Sequence, residues 1–144
     1  MVYWFYGQPG SGKTTLAKTL SEHLQFNLHR QVFHVDGDTL RLLFGNTNYS
    51  RDGRVENIRR AISIARYLDH TGYDVIISLV APYKDVRNEL KELARCQYFY
   101  VHTSETRGRE NFFSSEMEID GDDIKIDTTS KSPIECLSEV SRFI

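Results

Sequence analysis

Apolar periodicity along the chain switches between strand-like and helix-like at short intervals, the pattern of a parallel sheet with crossover helices. Val2 to Tyr6 is an unbroken apolar and aromatic run that predicts a first strand. Thr14 to about Leu28 carries Leu16, Ala17, Leu20 and Leu24 on one helical face. Gln31 to Asp36 predicts a short second strand and Thr39 to Phe44 a short helix. Residues 45–54, "GNTNYSRDGR", are dense in Gly, Asn, Ser and Asp and predict a loop. Arg54 to Leu68 follows with Val55, Ile58, Ala61, Ile62, Ala65 and Leu68 on one stripe. Asp74 to Val80, "DVIISLV", has the near-continuous β-branched content of a central strand buried on both faces. Pro82 ends it, and Tyr83 to Ala94 is amphipathic with charge on its outer side. Gln97 to Val101 and Asp123 to Ile126 predict two further strands. Pro133 opens a final helix to about Phe143, where the fixed φ of proline suits a helix start. The expected fold is α/β, with a single parallel sheet of about five strands flanked by helices, doubly wound, in one domain over residues 1–144. Ser104 to Gly121, polar and acidic around Phe112-Phe113, carries the weakest pattern.

Composition narrows the functions. With 144 residues and 40% apolar content the chain can bury one core. Lys plus Arg number 18 against 20 Asp plus Glu, a net charge of −2, with a pI near 6.2. No electrostatic footprint for nucleic acid or a membrane surface exists, and any polyanion must be met by local positive groups. The five-residue apolar start lacks a basic flank and a cleavage pattern, so neither a signal peptide nor a membrane span is expected. Cys96 and Cys136 are too few for a disulfide framework or zinc site and predict free thiols in a reducing cytoplasm.

Residues 7–14, "GQPGSGKT", form the pattern Gly7-x-x-x-x-Gly12-Lys13-Thr14, the phosphate-binding loop (P-loop). A strand precedes it and a helix follows, as this motif requires. Glycines let consecutive N–H groups turn inward at phosphate oxygens with the helix dipole behind them. Gly7, Gln8, Pro9, Gly10, Ser11, Gly12, Lys13, Thr14 and Thr15 are the expected nucleotide-binding segment. Lys13 reaches the β- and γ-phosphates of ATP, and the Thr14 hydroxyl ligates magnesium. No Asn-Lys-x-Asp segment is present, which weakens a GTPase-switch reading.

"VDGDTLR", residues 35–41, ends the second strand with two aspartates facing the same crevice, because ligands sit at the carboxyl ends of the strands in such sheets. Asp38 is the candidate general base and a metal ligand, taking the proton of an acceptor hydroxyl. Asp36 holds magnesium through water, or else ends the strand as a helix cap. In "NYSRDGRVENIRR", residues 48–60, Arg54 and Asn57 lie three apart on one helical face. With Arg41 they form a candidate wall for an anionic substrate, since arginine grips phosphate and sulfate bidentately. Tyr49 is placed to stack on a base.

The order GxxxxGKT, DGDxxR, YS-x-x-x-R-x-x-N-I-R-R and "SLVAPY" resembles the adenylylsulfate kinase (APS kinase) family of P-loop kinases, from about Met1 to Val101. "DIKIDTTSKSPIECLSEV" is similar to that family's last strand and helix. The resemblance implies transfer of the ATP γ-phosphate to the 3′-hydroxyl of adenosine 5′-phosphosulfate, as in sulfate assimilation. It implies Asp38 in catalysis and metal binding, Arg41, Arg54 and Asn57 on the phosphosulfate, and Tyr49 on the adenine. A homodimer is within the family's repertoire. Ala81-Pro82 stands where the family has Ser-Pro, so phosphorylation of that serine is ruled out here. Ala81, and Lys84 just beyond it, fall where the family lines its acceptor crevice, as does Arg87.

The family's Arg-Asp pair, Lys-rich helix and Phe-Thr-Gly loop are replaced by the shorter "SETRGRENFFSSEMEIDGD". Arg107, Arg109 and Phe112 are candidate lid and stacking groups there. A kinase for another nucleotide-linked acceptor, such as cytidine diphosphoramidate, and a non-catalytic ATP-binding relative are the alternatives. The five histidines show no ligand spacing, and the aromatics of the first strand are expected to pack within the sheet.

Overall fold

The computed structural model describes residues 1–144. Five strands form one wholly parallel sheet: β1 (Val2–Tyr6), β2 (Val32–Asp36), β3 (Asp74–Leu79), β4 (Cys96–His102) and β5 (Ile124–Asp127), in the order β2-β3-β1-β4-β5. The helices are α1 (Lys13–Glu22), α2 (Gly37–Phe44), α3 (Arg51–His70), α4 (Lys84–Asn88) and α5 (Pro133–Val140).

The alternation of β1 explains the double winding. Val2, Trp4 and Tyr6 join a core with Leu40, Ile58, Ala61, Ile62 and Ala65 from α2 and α3. Tyr3 and Phe5 point the other way, into a core with Leu16, Leu20 and Leu24 above α1 and Cys136 and Val140 from α5. Burial on both faces requires an apolar run rather than an alternating one, and every residue of β1 and of β3 is buried. The aromatics of β1 pack on their register partners in β4, Trp4 on Tyr98 at 5.5 Å, Phe5 on Phe99 at 4.9 Å and Tyr6 on Tyr100 at 5.4 Å. They are sheet packing, as the pattern predicts.

Four boundaries move by three residues or more, and most others by one or two. The helix expected to Leu28 leaves α geometry at Glu22 and closes as one π-helical turn, His23–Asn27. The loop expected to reach Arg54 ends at Ser50, which caps α3 in extended conformation while its carbonyl accepts from Arg54 N at 3.0 Å. The amphipathic stretch from Tyr83 is helical only to Asn88, then turns to Ala94, because Tyr98 Oη takes the Arg87 carbonyl at 2.8 Å. The final helix ends at Val140, with a 3₁₀ turn over Ser141–Phe143. Pro133 sits in its first turn behind a Ser132 cap that accepts from Glu135 N. Both cysteines are free, and burial pushes the Cys96 thiol up to about 12. No helix is long and apolar enough to cross a membrane.

Candidate active site

The carboxyl ends of β1, β2 and β3 open into one cleft. At Gly7 the chain leaves β1 at φ +154°, and a Cβ there would sit 2.1 Å from the Val101 carbonyl of β4, so only glycine permits the turn. Lys13 opens α1 and is only 8% exposed, its Nζ donating to the Gln8 carbonyl at 3.0 Å. Burial pushes its amine down to about 8. Asp38 and Asp36 draw it back up, while Arg109 adds to the depression.

Between the two aspartates Gly37 packs tightly on β3: a Cβ would lie 2.3 Å from Leu79 Cδ1, and the leucine side chain would have to shift. The close approach brings Asp36 to a junction. Its Oδ2 caps α2, accepting from Thr39 N at 3.1 Å and Thr39 Oγ1 at 3.2 Å. Its Oδ1 accepts from Ser78 Oγ at 2.8 Å and from Thr14 Oγ1 at 3.2 Å. The single Ser78 proton is thereby spent, so His34 Nε2, 2.7 Å away, donates to Ser78. A polar chain His34–Ser78–Asp36–Thr14 thus runs from the sheet edge to the P-loop. Burial alone would raise the Asp36 carboxyl, but the hydrogen bonds from Ser78 and Thr39 outweigh it and hold it below the usual range. Burial also pushes His34 down, against the pull of Asp36.

Asp38, in the first turn of α2, is exposed, lines the cleft and has no side-chain hydrogen bond or ion pair. One turn further along α2, Arg41 Nη1 donates to Asn46 O, Asn46 Oδ1 and Asn48 O at 3.3, 3.1 and 3.0 Å, and the guanidinium lies 4.0 Å over the Tyr49 ring. Arg54 Nε donates to Tyr49 O at 3.0 Å. These bonds fix both arginines through one edge, leaving the rest of each guanidinium for an anion. Asn57 is buried beneath them; its Nδ2 donates to Gly37 O at 3.2 Å and its Oδ1 has no partner.

Ala81 also lines the cleft, at φ +40° directly before Pro82, a conformation unusual for alanine and for a residue before proline. A buried clamp holds it. Arg87 donates to Ala81 O at 2.7 Å and Glu118 O at 2.6 Å while stacking 3.8 Å over the Tyr6 ring. Arg87 therefore shapes the crevice from behind.

The structure brings Lys13, Thr14, Asp36, Asp38, Arg41, Tyr49, Arg54, Asn57 and Ala81 to one cleft, with Pro9 and Gly10 of the P-loop. Lys84 lies outside it, exposed, with Nζ 3.5 Å from Asp120. Thr15 faces solvent on α1. Gln8 turns away to clasp the segment after β4: its Nε2 donates to Ser114 O at 2.7 Å and its Oε1 accepts from Ser114 N at 2.9 Å. Ser11 offers its carbonyl to Thr128 Oγ1 at 2.6 Å. Sequence reasoning passed over Ser78, His34 and the Gln8–Ser114 clasp. Only Ser78 left a signal, as the one hydroxyl inside "DVIISLV".

The oxygen-only set of Thr14, Asp36 and Asp38 matches a hard cation such as magnesium. No group of three or more His, Cys, Asp or Glu gathers to form a cage, so the donor set fits a metal held jointly with phosphates and water.

A family model described as adenylylsulphate kinase matches residues 1–109. The chain belongs to the adenylylsulphate kinase family. The match to this family covers β1 to β4 and stops inside the segment that differs most. The adenylyl-sulfate kinase of Clostridium kluyveri is 34% identical over 103 residues, 71% of this chain and 51% of that protein. A probable adenylyl-sulfate kinase of Pyrococcus abyssi is 30% identical over 153 residues, covering 92% of this chain and 87% of its own length. The chain thus spans about half the length of the first relative and most of the second. In fold it resembles the Mycobacterium tuberculosis APS kinase CysC, solved with AMPPNP and APS, at a TM-score of 0.84 and 20% identity over 98% of this chain and 95% of that one.

Proposed function

We propose that this adenylylsulphate kinase family member transfers the γ-phosphate of ATP to the 3′-hydroxyl of adenosine 5′-phosphosulfate. The supporting observation is the meeting of the P-loop with an arginine wall across a single free carboxylate: Lys13 and Thr14 on one side, Arg41 and Arg54 on the other, Asp38 between. A protein that only bound ATP would have no use for the wall.

Phosphoryl transfer demands little covalent chemistry of the protein and much positioning and charge. Backbone N–H groups of residues 7–14 and the Lys13 ammonium hold the β- and γ-phosphates. Thr14 and Asp38 would hold magnesium, with Asp36 fixing the Thr14 hydroxyl by accepting a hydrogen bond from it. Magnesium held there would neutralise phosphate charge. Arg41 and Arg54 seat the acceptor's anionic end, and Tyr49, backed by the Arg41 guanidinium, offers its face to the acceptor base. Asp38 then takes the acceptor hydroxyl proton as its oxygen attacks the γ-phosphorus, and ADP leaves.

The unpartnered Asn57 Oδ1 refines its part. Nδ2 gives one of its two hydrogens to Gly37 O, so the unpartnered Oδ1 and the second hydrogen are what Asn57 has left, a pairing suited to a hydroxyl that both donates and accepts. A homodimer stays part of the proposal, to be read by light scattering.

The test is ADP release with ATP and magnesium, comparing adenosine 5′-phosphosulfate with cytidine and uridine diphosphate derivatives. Turnover on the phosphosulfate above all others supports the reading. Turnover only on another acceptor would keep the reaction and replace the substrate, and ATP binding without transfer to any would reduce the protein to a nucleotide binder.

A further inference from the structure

Arg107 and Arg109 stand two residues apart on the segment that crosses the P-loop, and their surroundings divide them. Arg107 is fully engaged. Its guanidinium meets the Glu105 carboxylate at 2.7 and 3.0 Å, the Gly10 carbonyl at 3.1 Å and the Thr128 carbonyl at 3.2 Å. Its backbone N–H is taken by Glu110 Oε1 at 2.8 Å. These bonds make Arg107 a strap from the segment to the P-loop backbone and the end of β5.

Arg109 has the opposite character. Its stem packs on the P-loop, where a Cβ placed on Gly10 would lie 3.3 Å from both its Cβ and its Cγ. Its guanidinium has no carboxylate within 4.0 Å and no hydrogen-bond acceptor, and its nearest aromatic is Phe112, 5.7 Å from the ring centroid. It lines the same cleft as Lys13, Thr14 and Asp38. Lys13 and Arg109 thus share one cleft with neither in an ion pair, near enough for Arg109 to disfavour the Lys13 charge against the stronger pull of Asp38 and Asp36. Like charges that converge on one cleft, with more cations than carboxylates lining it, make a site for a group bearing several negative charges.

We propose that Arg109 is a catalytic residue whose guanidinium contacts the γ-phosphoryl group of bound ATP during its transfer. This rests on the phosphoryl-transfer reading above. The bond from the β–γ bridging oxygen to the γ-phosphorus breaks with its electrons passing to ADP, the acceptor oxygen bonds to the same phosphorus, and the acceptor proton passes to Asp38. Arg109 exchanges no proton. It meets the equatorial oxygens from the side opposite the arginine wall, and its planar fork matches two of them. The same segment that departs from the family's pattern thus returns a phosphate-facing cation to the site, with Phe112 beside it.

The experiment compares the intact protein with Arg109→Ala and Arg109→Lys in two assays. In ADP release with the preferred acceptor, Arg109→Ala is expected to lower kcat by about 10²- to 10³-fold. Arg109→Lys is expected to recover only a small part of that loss, since an ammonium cannot bind two oxygens in a plane. In calorimetric titration with magnesium, Arg109→Ala is expected to weaken a non-hydrolysable ATP analogue at least tenfold more than ADP. A kcat within threefold of the parent, or equal weakening of the analogue and ADP, overturns the proposal. If the parent turns over no acceptor, the function reading fails alone. The analogue-against-ADP difference then still decides whether Arg109 meets the γ-phosphate.

Discussion

The cleft's two walls are built differently. The P-loop follows β1, a strand buried on both faces, and α2 and α3 pack Leu40 and Ile58 into the same core, so their functional groups are set by close packing at the strand ends: Gly7 against Val101, Gly37 against Leu79, Asp36 as a helix cap. The segment from Thr103 to Asp123 has one 3₁₀ turn, Glu110–Phe112, and a mostly exposed surface. It is held by side chains instead, Gln8 on Ser114, Arg107 on Gly10, Arg87 on Glu118, and Tyr6 on Asp120 and Asp123. One wall is folded into place by the core and the other is tied on, so chemistry placed on the first is rigid while that on the second can be exchanged.

The largest effect belongs to the rigid wall. Lys13→Ala is expected to lower turnover on the order of 10³-fold or more, with the melting temperature unchanged or raised because a buried charge is removed. Turnover near the parent level would take the P-loop out of the mechanism. Asp38→Asn follows, with kcat down roughly 10²- to 10⁴-fold and ATP affinity nearly unchanged; an equal loss of affinity would make Asp38 a binding group only.

Titration sharpens the same wall. The Lys13 amine, lowered to about 8 in the free protein, would be raised again by the negative charge of a bound phosphate. Nucleotide affinity should therefore be full below about pH 8 and fall as pH rises through it, with proton uptake on binding near pH 9. Calorimetry in buffers of different ionisation enthalpy reads this uptake, and Lys13→Met should abolish it. The stability of the free protein carries the opposite sign. Its folded pKa lies below the unfolded value, so the unfolded chain holds more protons above pH 8 and this group's contribution to stability grows there.

Smaller effects separate the walls. Ser78→Ala cuts the chain from His34 to Asp36 and should cost about 1–3 kcal/mol in urea unfolding, with a raised magnesium requirement. Gln8→Ala should change global stability by less than about 1 kcal/mol yet speed proteolysis within residues 103–123. Proteolysis unchanged by Gln8→Ala would mean that the tied wall does not depend on its clasp.

What could be read in advance follows the same division. Strands buried on both faces are legible as apolar runs, and β1 matches its expected bounds residue for residue, as β3 does at its start. Glycine spacing in Gly7–Thr14 and Asp36–Asp38 encodes a backbone shape, so the cleft's phosphate side was legible too. Lys84 was not: its neighbour Asp120 lies far along the chain in a stretch with no period, and nothing local reveals the pairing. The turn after Asn88 was hidden for the same reason, since Tyr98 decides it from β4. His34 carries no spacing signal because its partner Ser78 sits one strand away, while Arg107 and Arg109 differ only in what the fold brings to each.

Asp36 rides on an edge strand of the sheet, where β2 pairs on one side only and just one of its residues, Val35, is buried. A slip of that edge by one residue would turn both His34 and Asp36 to the opposite face and leave Ser78 and Thr14 without their acceptor. The proposed transfer would thereby gauge how well an edge is docked: a brief fraying of β2, far short of global unfolding, would silence it before any spectroscopic probe of the core registers a change.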